Sequence, residues 1–304
     1  MNGQMAVQQI ASGDVKALAR TISLVENEAA GYEDLLQQLP ASATKITGIT
    51  GPPGAGKSTL VDALIEELVQ QNKKVGVLCV DPSSPFNMGA LLGDRVRMSQ
   101  WYNHPHVFIR SLATRGSLGG LHPKIIEITD VMKTAPFDHI IVETVGVGQS
   151  EVEIAGLSDT TVVVLVPEGG DEIQSMKAGL MEIADVFVVN KADRPGSDQF
   201  IKNLRLIMAP ELKGTRPAVP IVKTVAPERK GIAELVEKIR QHEDSSHDNE
   251  KKNWLLAEKA YQLIQKIRMK DITRQDLASR IRAQQPDTDF NLYRFIRQLA
   301  DEWT

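Results

Sequence analysis

Residues 51–59 read Gly-Pro-Pro-Gly-Ala-Gly-Lys-Ser-Thr, and the spacing of Gly51, Gly56, Lys57 and Ser58 is that of a loop that wraps phosphate. Glycines let successive backbone N–H groups converge on phosphate oxygens, and a helix starting there turns its positive end to the same anion. On this pattern Gly51, Pro52, Pro53, Gly54, Ala55, Gly56 and Thr59 form the cradle. Lys57 reaches the β- and γ-phosphates, and the Ser58 hydroxyl ligates Mg²⁺. An accidental glycine-rich turn would lack the setting found here, a β-branched run over 45–50 before the loop and an amphipathic helix over 60–69 after it.

A metal ion and an attacking water need carboxylates near that lysine. Asp81 closes the apolar run 75–80, Asp94 lies in the loop 89–95, and Glu143 closes the run 139–142. A carboxylate at the end of an apolar strand is costly without a cation beside it, so Asp81, Asp94 and Glu143 are the candidates for metal binding and catalysis. Further on, Asn190-Lys191-Ala192-Asp193 follows the apolar run 185–189. An Asp carboxylate accepts both N1–H and the exocyclic amino group of guanine, whereas adenine offers neither donor there. The nucleotide expected is therefore GTP, with GDP as product, rather than ATP.

Together these residues resemble the G3E GTPases, in which the third motif is Glu-x-x-Gly, here Glu143-Thr-Val-Gly146 continued by Val-Gly-Gln-Ser-Glu. Within that group the strings Val80-Asp-Pro-Ser-Ser-Pro85, Gly93-Asp-Arg-Val-Arg-Met98 and Pro167-Glu-Gly-Gly-Asp-Glu-Ile-Gln-Ser-Met-Lys177 are similar to the MeaB/ArgK branch. The resemblance implies a homodimeric G-protein chaperone of an adenosylcobalamin-dependent acyl-CoA mutase, most often methylmalonyl-CoA mutase. GTP hydrolysis would gate cofactor delivery and protect or reactivate the client. It also implies that Lys57 holds phosphate, that Ser58, Asp81, Asp94 and Glu143 serve Mg²⁺ and the attacking water, and that Gly146 joins the nucleotide contacts. The segment 171–177, with Asp171, Glu172 and Lys177, would be a further switch read by the partner. Two positions depart from the family pattern. Thr224-Val225-Ala226 stands where Ser-Ala is common, which assigns Val225 and Ala226 to the base pocket by position. Val147 follows Gly146 where Ras-type enzymes place a water-orienting Gln, and Gln149 lies two residues on. Slow intrinsic hydrolysis, accelerated by a partner, is the expectation.

The elements that must carry these loops form an alternating series. Strands are expected over 45–50, 74–80, 106–109, 139–144, 161–166, 186–190 and 220–225, separated by helical stretches or long loops. That order gives an α/β fold of the P-loop NTPase class, a mostly parallel sheet with helices on both faces and ligands beyond the strands' carboxyl ends. Two helices are expected in an N-terminal extension, residues 1–43, ahead of a GTPase domain over 44–241. The acidic and polar run 242–252 reads as a solvated linker opening a helical C-terminal module over 242–304, which the resemblance implies is a dimerisation arm.

Composition narrows the classes further. The chain has 304 residues, 42% of them hydrophobic, and a net charge of -4, which leaves no global footprint for nucleic acid. No apolar run approaches the roughly 18 residues that cross a bilayer, and residues 1–10 lack a signal-peptide pattern. The single cysteine, Cys79, excludes an internal disulfide, and a cytoplasmic protein is expected. Two other readings fit a P-loop protein: an ATPase or kinase tied to transport of basic amino acids, and a metal-delivery GTPase. The guanine-reading motif opposes the first, and dispersed histidines (His104, His106, His122) with one cysteine oppose the second. Arg95, Arg97, Arg110 and Arg115 flank the nucleotide loops, each as ready to form a structural ion pair as to assist hydrolysis. The glycine-rich stretch 113–120 is a candidate mobile loop, and Trp254 and Trp303 read as packing or interface anchors.

Overall fold

The computed structural model describes residues 3–81, 98–114, 121–146, 150–167, 178–208, 219–245, 250–269, 272–284 and 290–302. Strand β1 (Lys45–Thr50) is buried along its whole length after Lys45, as befits β-branched residues enclosed on both faces. It pairs in parallel with β4 (His139–Glu143) on one side and β5 (Thr160–Leu165) on the other. With β2 (Val75–Asp81), β3 (Val107–Ala113), β6 (Val186–Val189) and β7 (Ile221–Lys223), the seven strands run in the order β3-β2-β4-β1-β5-β6-β7, every pairing parallel. The expected class is borne out. Because β2 to β4 lie to one side of β1 and β5 to β7 to the other, the crevice for a ligand opens at the carboxyl end of β1.

Alternate residues sort the core. Val162 and Val164 of β5 join one apolar cluster with Ile49, Leu60, Leu64, Val77, Ile141, Leu235 and Ile239. That cluster lies under α4 (Lys57–Gln70) and α9 (Ile232–Asp244). Val163 and Leu165 face the other way, packing with α6 (Ser150–Leu157), α7 (Ala178–Ile183) and α8 (Ser197–Met208) through Ala155, Leu180, Phe200 and Leu204. The remaining helix of this region, α5 (Ile125–Thr134), contacts the N-terminal extension.

That extension has three helices where the sequence reading expects two: α1 (Gly3–Ala11), α2 (Val15–Glu26) and α3 (Tyr32–Leu36). Gly13 takes φ 91°, and Asp14 Oδ1 accepts from the backbone N–H groups of Lys16 at 2.8 Å and Ala17 at 3.0 Å. The turn and the cap split a run whose apolar spacing looks continuous. Strand β3 also extends past residue 109, because Arg110 within it pairs with Glu26 of α2 at 2.6 Å. A charged residue inside the strand is thereby accommodated.

Residues 242–244, expected in a solvated linker, are instead the last turn of α9, with His242 and Glu243 half-buried and Asp244 exposed. His242 Nδ1 lies 2.9 Å from Thr160 Oγ1, and Glu243 Oε1 lies 3.8 Å from His139 Nε2. Both residues follow Leu235 and Ile239 at helical spacing, so the buried face continues although its residue types become polar. By contacts the chain divides into two compact units, 1–253 and 254–304. Within the second unit, α11 (Arg274–Gln284) precedes α12 (Leu292–Glu302), and Phe295 and Leu299 are buried. Helix α10 (Glu250–Arg268) runs across the division.

Candidate nucleotide site

The phosphate loop sits where the sheet order predicts, between the end of β1 and the start of α4. Gly51, Gly54 and Gly56 all take positive φ, at 139°, 77° and 87°. A Cβ at Gly51 would overlap the Val164 carbonyl of β5, so only glycine lets the loop leave β1 this closely. Lys57, the first residue of α4, is 6% exposed. Its ammonium folds back into the loop and donates to the carbonyls of Gly51 at 2.9 Å and Pro52 at 3.2 Å. Ser58 follows, and its hydroxyl donates to Glu143 Oε1 at 2.6 Å.

Glu143 is 3% exposed and Asp81 6%. Cys79 of β2 registers with Glu143 of β4, so Asp81 stands two residues beyond that level on the neighbouring strand. The chain leaving β4 is held by Thr144, whose backbone N–H donates to the Ile49 carbonyl at 3.0 Å and whose hydroxyl lies 2.9 Å from that of Thr50. Gly146, at φ 83°, then passes so close to the loop that a Cβ there would overlap both the Gly51 carbonyl and Lys57 Nζ. Lys57, Ser58, Asp81, Glu143 and Gly146 thus meet at the carboxyl ends of three adjacent strands. The donors are all oxygen, one hydroxyl and two carboxylates, which is the set that hard divalent cations take.

The segments expected to read the base, 190–193 and 224–226, are tied to the same loop. Asn190, 1% exposed, donates through Nδ2 to the Ala55 carbonyl at 2.9 Å. Its Oδ1 accepts from Thr224 Oγ1 at 3.0 Å and from the Ala226 N–H at 3.3 Å. Asn190 is therefore a clasp between the phosphate loop and the 224–226 loop. Lys191, at φ 55°, donates to the Gly54 carbonyl at 2.8 Å. Asp193 is exposed, and the Ala192 N–H bonds the Thr224 carbonyl at 3.1 Å. The structure thus ties Asn190 and Lys191 to the phosphate loop and, through Asn190, Thr224 and Ala226 to it as well.

Several expected residues take other places. Arg110 is committed to Glu26 and Ser23 of α2. His122 Nδ1 accepts from the Lys124 N–H at 3.0 Å ahead of α5, a capping role, and among the described residues no group of three or more potential ligands forms a metal cluster. Asp94, Arg95, Arg97, Arg115, Val147, Gln149, Asp171, Glu172, Lys177 and Trp303 lie outside the described residues, as does most of the 113–120 loop. Sequence reasoning missed Thr224 as the Asn190 partner, because a threonine where Ser-Ala is usual reads only as a departure. It also missed Asp62 and Arg229, ordinary charged residues whose types carry no signal until they are found together.

Comparison with known proteins agrees with this geometry. A relative in Pyrococcus abyssi, provisionally described as a GTPase, is 49% identical over 245 residues, covering 78% of this chain and 75% of its own. The fused isobutyryl-CoA mutase of Geobacillus kaustophilus is 39% identical over 204 residues, which are 63% of this chain and 19% of that protein. Among solved structures, a LAO/AO transport system kinase superposes with a TM-score of 0.67 over 98% of this chain and 96% of its own. At 23% identity that likeness speaks for the fold alone. The family model described as methylmalonyl-CoA mutase-associated GTPase MeaB matches residues 18–285. With a phosphate loop, a Glu-x-x-Gly turn and an Asn190 clasp to the 224–226 loop at one crevice, the chain belongs to the MeaB family of P-loop GTPases.

Proposed function

We propose that the protein is a Mg²⁺-dependent GTPase that serves as chaperone to an adenosylcobalamin-dependent acyl-CoA mutase, gating cofactor delivery and protecting or reactivating the enzyme. The observation that carries this reading is the Geobacillus kaustophilus protein, in which a segment 39% identical to this chain is part of a polypeptide named as an acyl-CoA mutase. Two functions joined in one chain in one organism are natural partners when they are separate chains in another.

In this reading Lys57 holds the β- and γ-phosphates while the N–H groups of residues 51–59 line them. The Ser58 hydroxyl with Asp81 and Glu143 fits Mg²⁺, and Asp94 belongs to the same set by resemblance. Held by these residues, Mg²⁺ would supply neutralisation of the charge that develops on the phosphoryl group. Glu143, fixed by Ser58, orients the attacking water, and the Gly146 turn keeps the chain against Lys57. Asp193 reads guanine, with Asn190 and Lys191 holding the reading loop in place beside Val225 and Ala226. Residues 171–177, with Asp171, Glu172 and Lys177, act as the switch that the mutase reads.

The C-terminal region, expected over 242–304 and forming the compact unit 254–304, serves as the arm of a homodimer. On α10, Trp254, Leu256, Tyr261, Leu263, Ile264 and Ile267 are exposed and fall on one half of the helix circumference, an apolar face of the kind that a second copy buries. Among the described residues no helix is long and apolar enough to cross a membrane, and we place the protein in the cytoplasm.

The test is GTP and ATP hydrolysis by the purified protein with Mg²⁺, alone and mixed with an adenosylcobalamin-dependent acyl-CoA mutase from the same organism. GTP-selective turnover that rises with the mutase supports the proposal. Turnover indifferent to the mutase removes the chaperone role, and preference for ATP removes the guanine assignment.

A further inference from the structure

One carboxylate on the outer side of α4 gathers donors from two distant parts of the chain. Asp62 Oδ1 accepts from Trp101 Nε1 at 2.7 Å and Gln100 Nε2 at 2.9 Å. Its Oδ2 accepts from Arg229 Nη2 at 2.9 Å. Arg229 Nε in turn lies 2.6 Å from Glu66 Oε2. Asp62 and Glu66 are four residues apart and share a helix face, so the rigid fork of one guanidinium meets both, a pairing lysine could not reproduce.

Arg229 is also held in an unusual backbone state. It has φ 57° and closes the short 3₁₀ turn Ala226–Glu228 by donating its N–H to the Ala226 carbonyl at 3.2 Å. A residue with a side chain keeps left-handed φ only where its surroundings hold it there. The turn it closes is the base loop, whose Ala226 N–H is already clasped by Asn190 Oδ1. Helix α4 is the one that begins with Lys57 and Ser58. Two independent ties thus join the base loop to the phosphate loop, Asn190 from inside and Arg229 from outside.

We infer that Arg229 and Asp62 are positioning residues for guanine recognition: they fix the span between base loop and phosphate helix that a bound nucleotide must bridge, without touching the nucleotide. The inference rests on the guanine reading proposed above. It separates the two ends of the ligand, because loosening the outer tie moves the base loop and leaves Lys57, Ser58 and the loop glycines in place.

The test compares binding of GDP with binding of inorganic tripolyphosphate, which engages the phosphate loop alone, by competition against a fluorescent guanine nucleotide. Wild type, Arg229→Ala, Arg229→Lys and Asp62→Asn are measured beside their thermal unfolding. For Arg229→Ala and Asp62→Asn, GDP affinity is expected to fall roughly tenfold, the scale of one lost charge-assisted contact. Tripolyphosphate affinity should stay within about twofold, and Arg229→Lys should recover part of the loss, since one point charge can replace half of a forked contact. Asp62→Asn keeps the side-chain shape, so the split is readable even if Arg229→Ala unfolds. Equal losses for both ligands, or unchanged GDP binding, overturn the inference. A wild-type protein that binds ADP as well as GDP overturns the guanine reading itself, a distinct result visible before any variant is made.

Discussion

Ser58 Oγ lies 2.6 Å from Glu143 Oε1, joining the second residue of the phosphate helix to the last residue of β4. The bond fixes a buried carboxylate beside the phosphate loop, where the proposed mechanism needs a group to orient the attacking water, and it spans 85 positions of the chain. An aspartate at 143 would fall one methylene short of the serine, which gives the Glu-x-x-Gly form of this turn a geometric reason. Glu143→Gln keeps an acceptor for Ser58 and removes the charge. GTP turnover is expected to fall by about 10²-fold or more, the usual scale for a water-activating group, with GDP affinity changed only severalfold. Phosphate release and nucleotide titration on the same preparation separate the two.

Lys57→Ala removes the buried ammonium that folds into the phosphate loop against the Gly51 and Pro52 carbonyls. Loss of one preorganised electrostatic contact typically costs about 10²–10³ in rate, and hydrolysis should drop by at least that factor in a phosphate-release assay. Circular dichroism should show the fold retained, since the Gly51 and Pro52 carbonyls that Lys57 bonds belong to its own loop.

Asp193→Asn should exchange base preference. Xanthine carries a carbonyl where guanine carries the amino group, so an Asn amide can donate where Asp had accepted. GDP binding is expected to weaken by about 10-fold or more and xanthosine diphosphate to bind in its place. A competition titration with both nucleotides reads the exchange; loss of both would assign Asp193 to the fold instead.

Gly146→Ala meets two obstacles at once, a positive φ of 83° and overlap with the Gly51 carbonyl and Lys57 Nζ. The backbone strain alone is worth about 1–2 kcal/mol, a drop of several degrees in Tm. Hydrolysis should fall further than stability, because the displaced atom is the Lys57 ammonium. Equal, small losses in both measurements would show that the turn simply moves aside.

At the opposite end of the sheet, burial dominates a second pair. It pushes Glu243 up to about 7, with Asp159 adding to the rise and Lys45 opposing it. It pushes His139 down to about 4, against Asp159 and Asp138. Although the two side chains lie 3.8 Å apart, both are held toward their neutral forms. Stability contributed by Glu243 is complete below 4.5 and is lost as pH rises through about 7; that from His139 is complete above 6.5 and is lost as pH falls toward about 4. Glu243→Gln should therefore raise Tm at pH 8 by several degrees, the scale of about 1–2 kcal/mol, with little change at pH 5. A Tm series from pH 4.5 to 8.5 checks the sign.

What the sequence determined by itself was whatever a few adjacent residues impose on a backbone. The run 51–59 dictates positive φ at its glycines and a helix at Lys57, Glu143-Thr-Val-Gly146 places an acid and a tight turn at a strand end, and Asn190 to Asp193 sets the loop expected to read the base. Strand after helix after strand then implied a parallel sheet. Local chemistry and local conformation are the same information in such stretches, so they can be read in one dimension. Tertiary structure alone decided that β4 and β5 flank β1, and hence that Ser58 meets Glu143. It made Asn190 a clasp between Ala55, Thr224 and Ala226, and it gathered Asp62 with Arg229. It also turned residues 242–244 from expected linker into helix, setting Glu243 beside His139. Each of these pairs joins common residue types tens of positions or more apart, and only the packing of strands and helices against one core brings them within reach of each other.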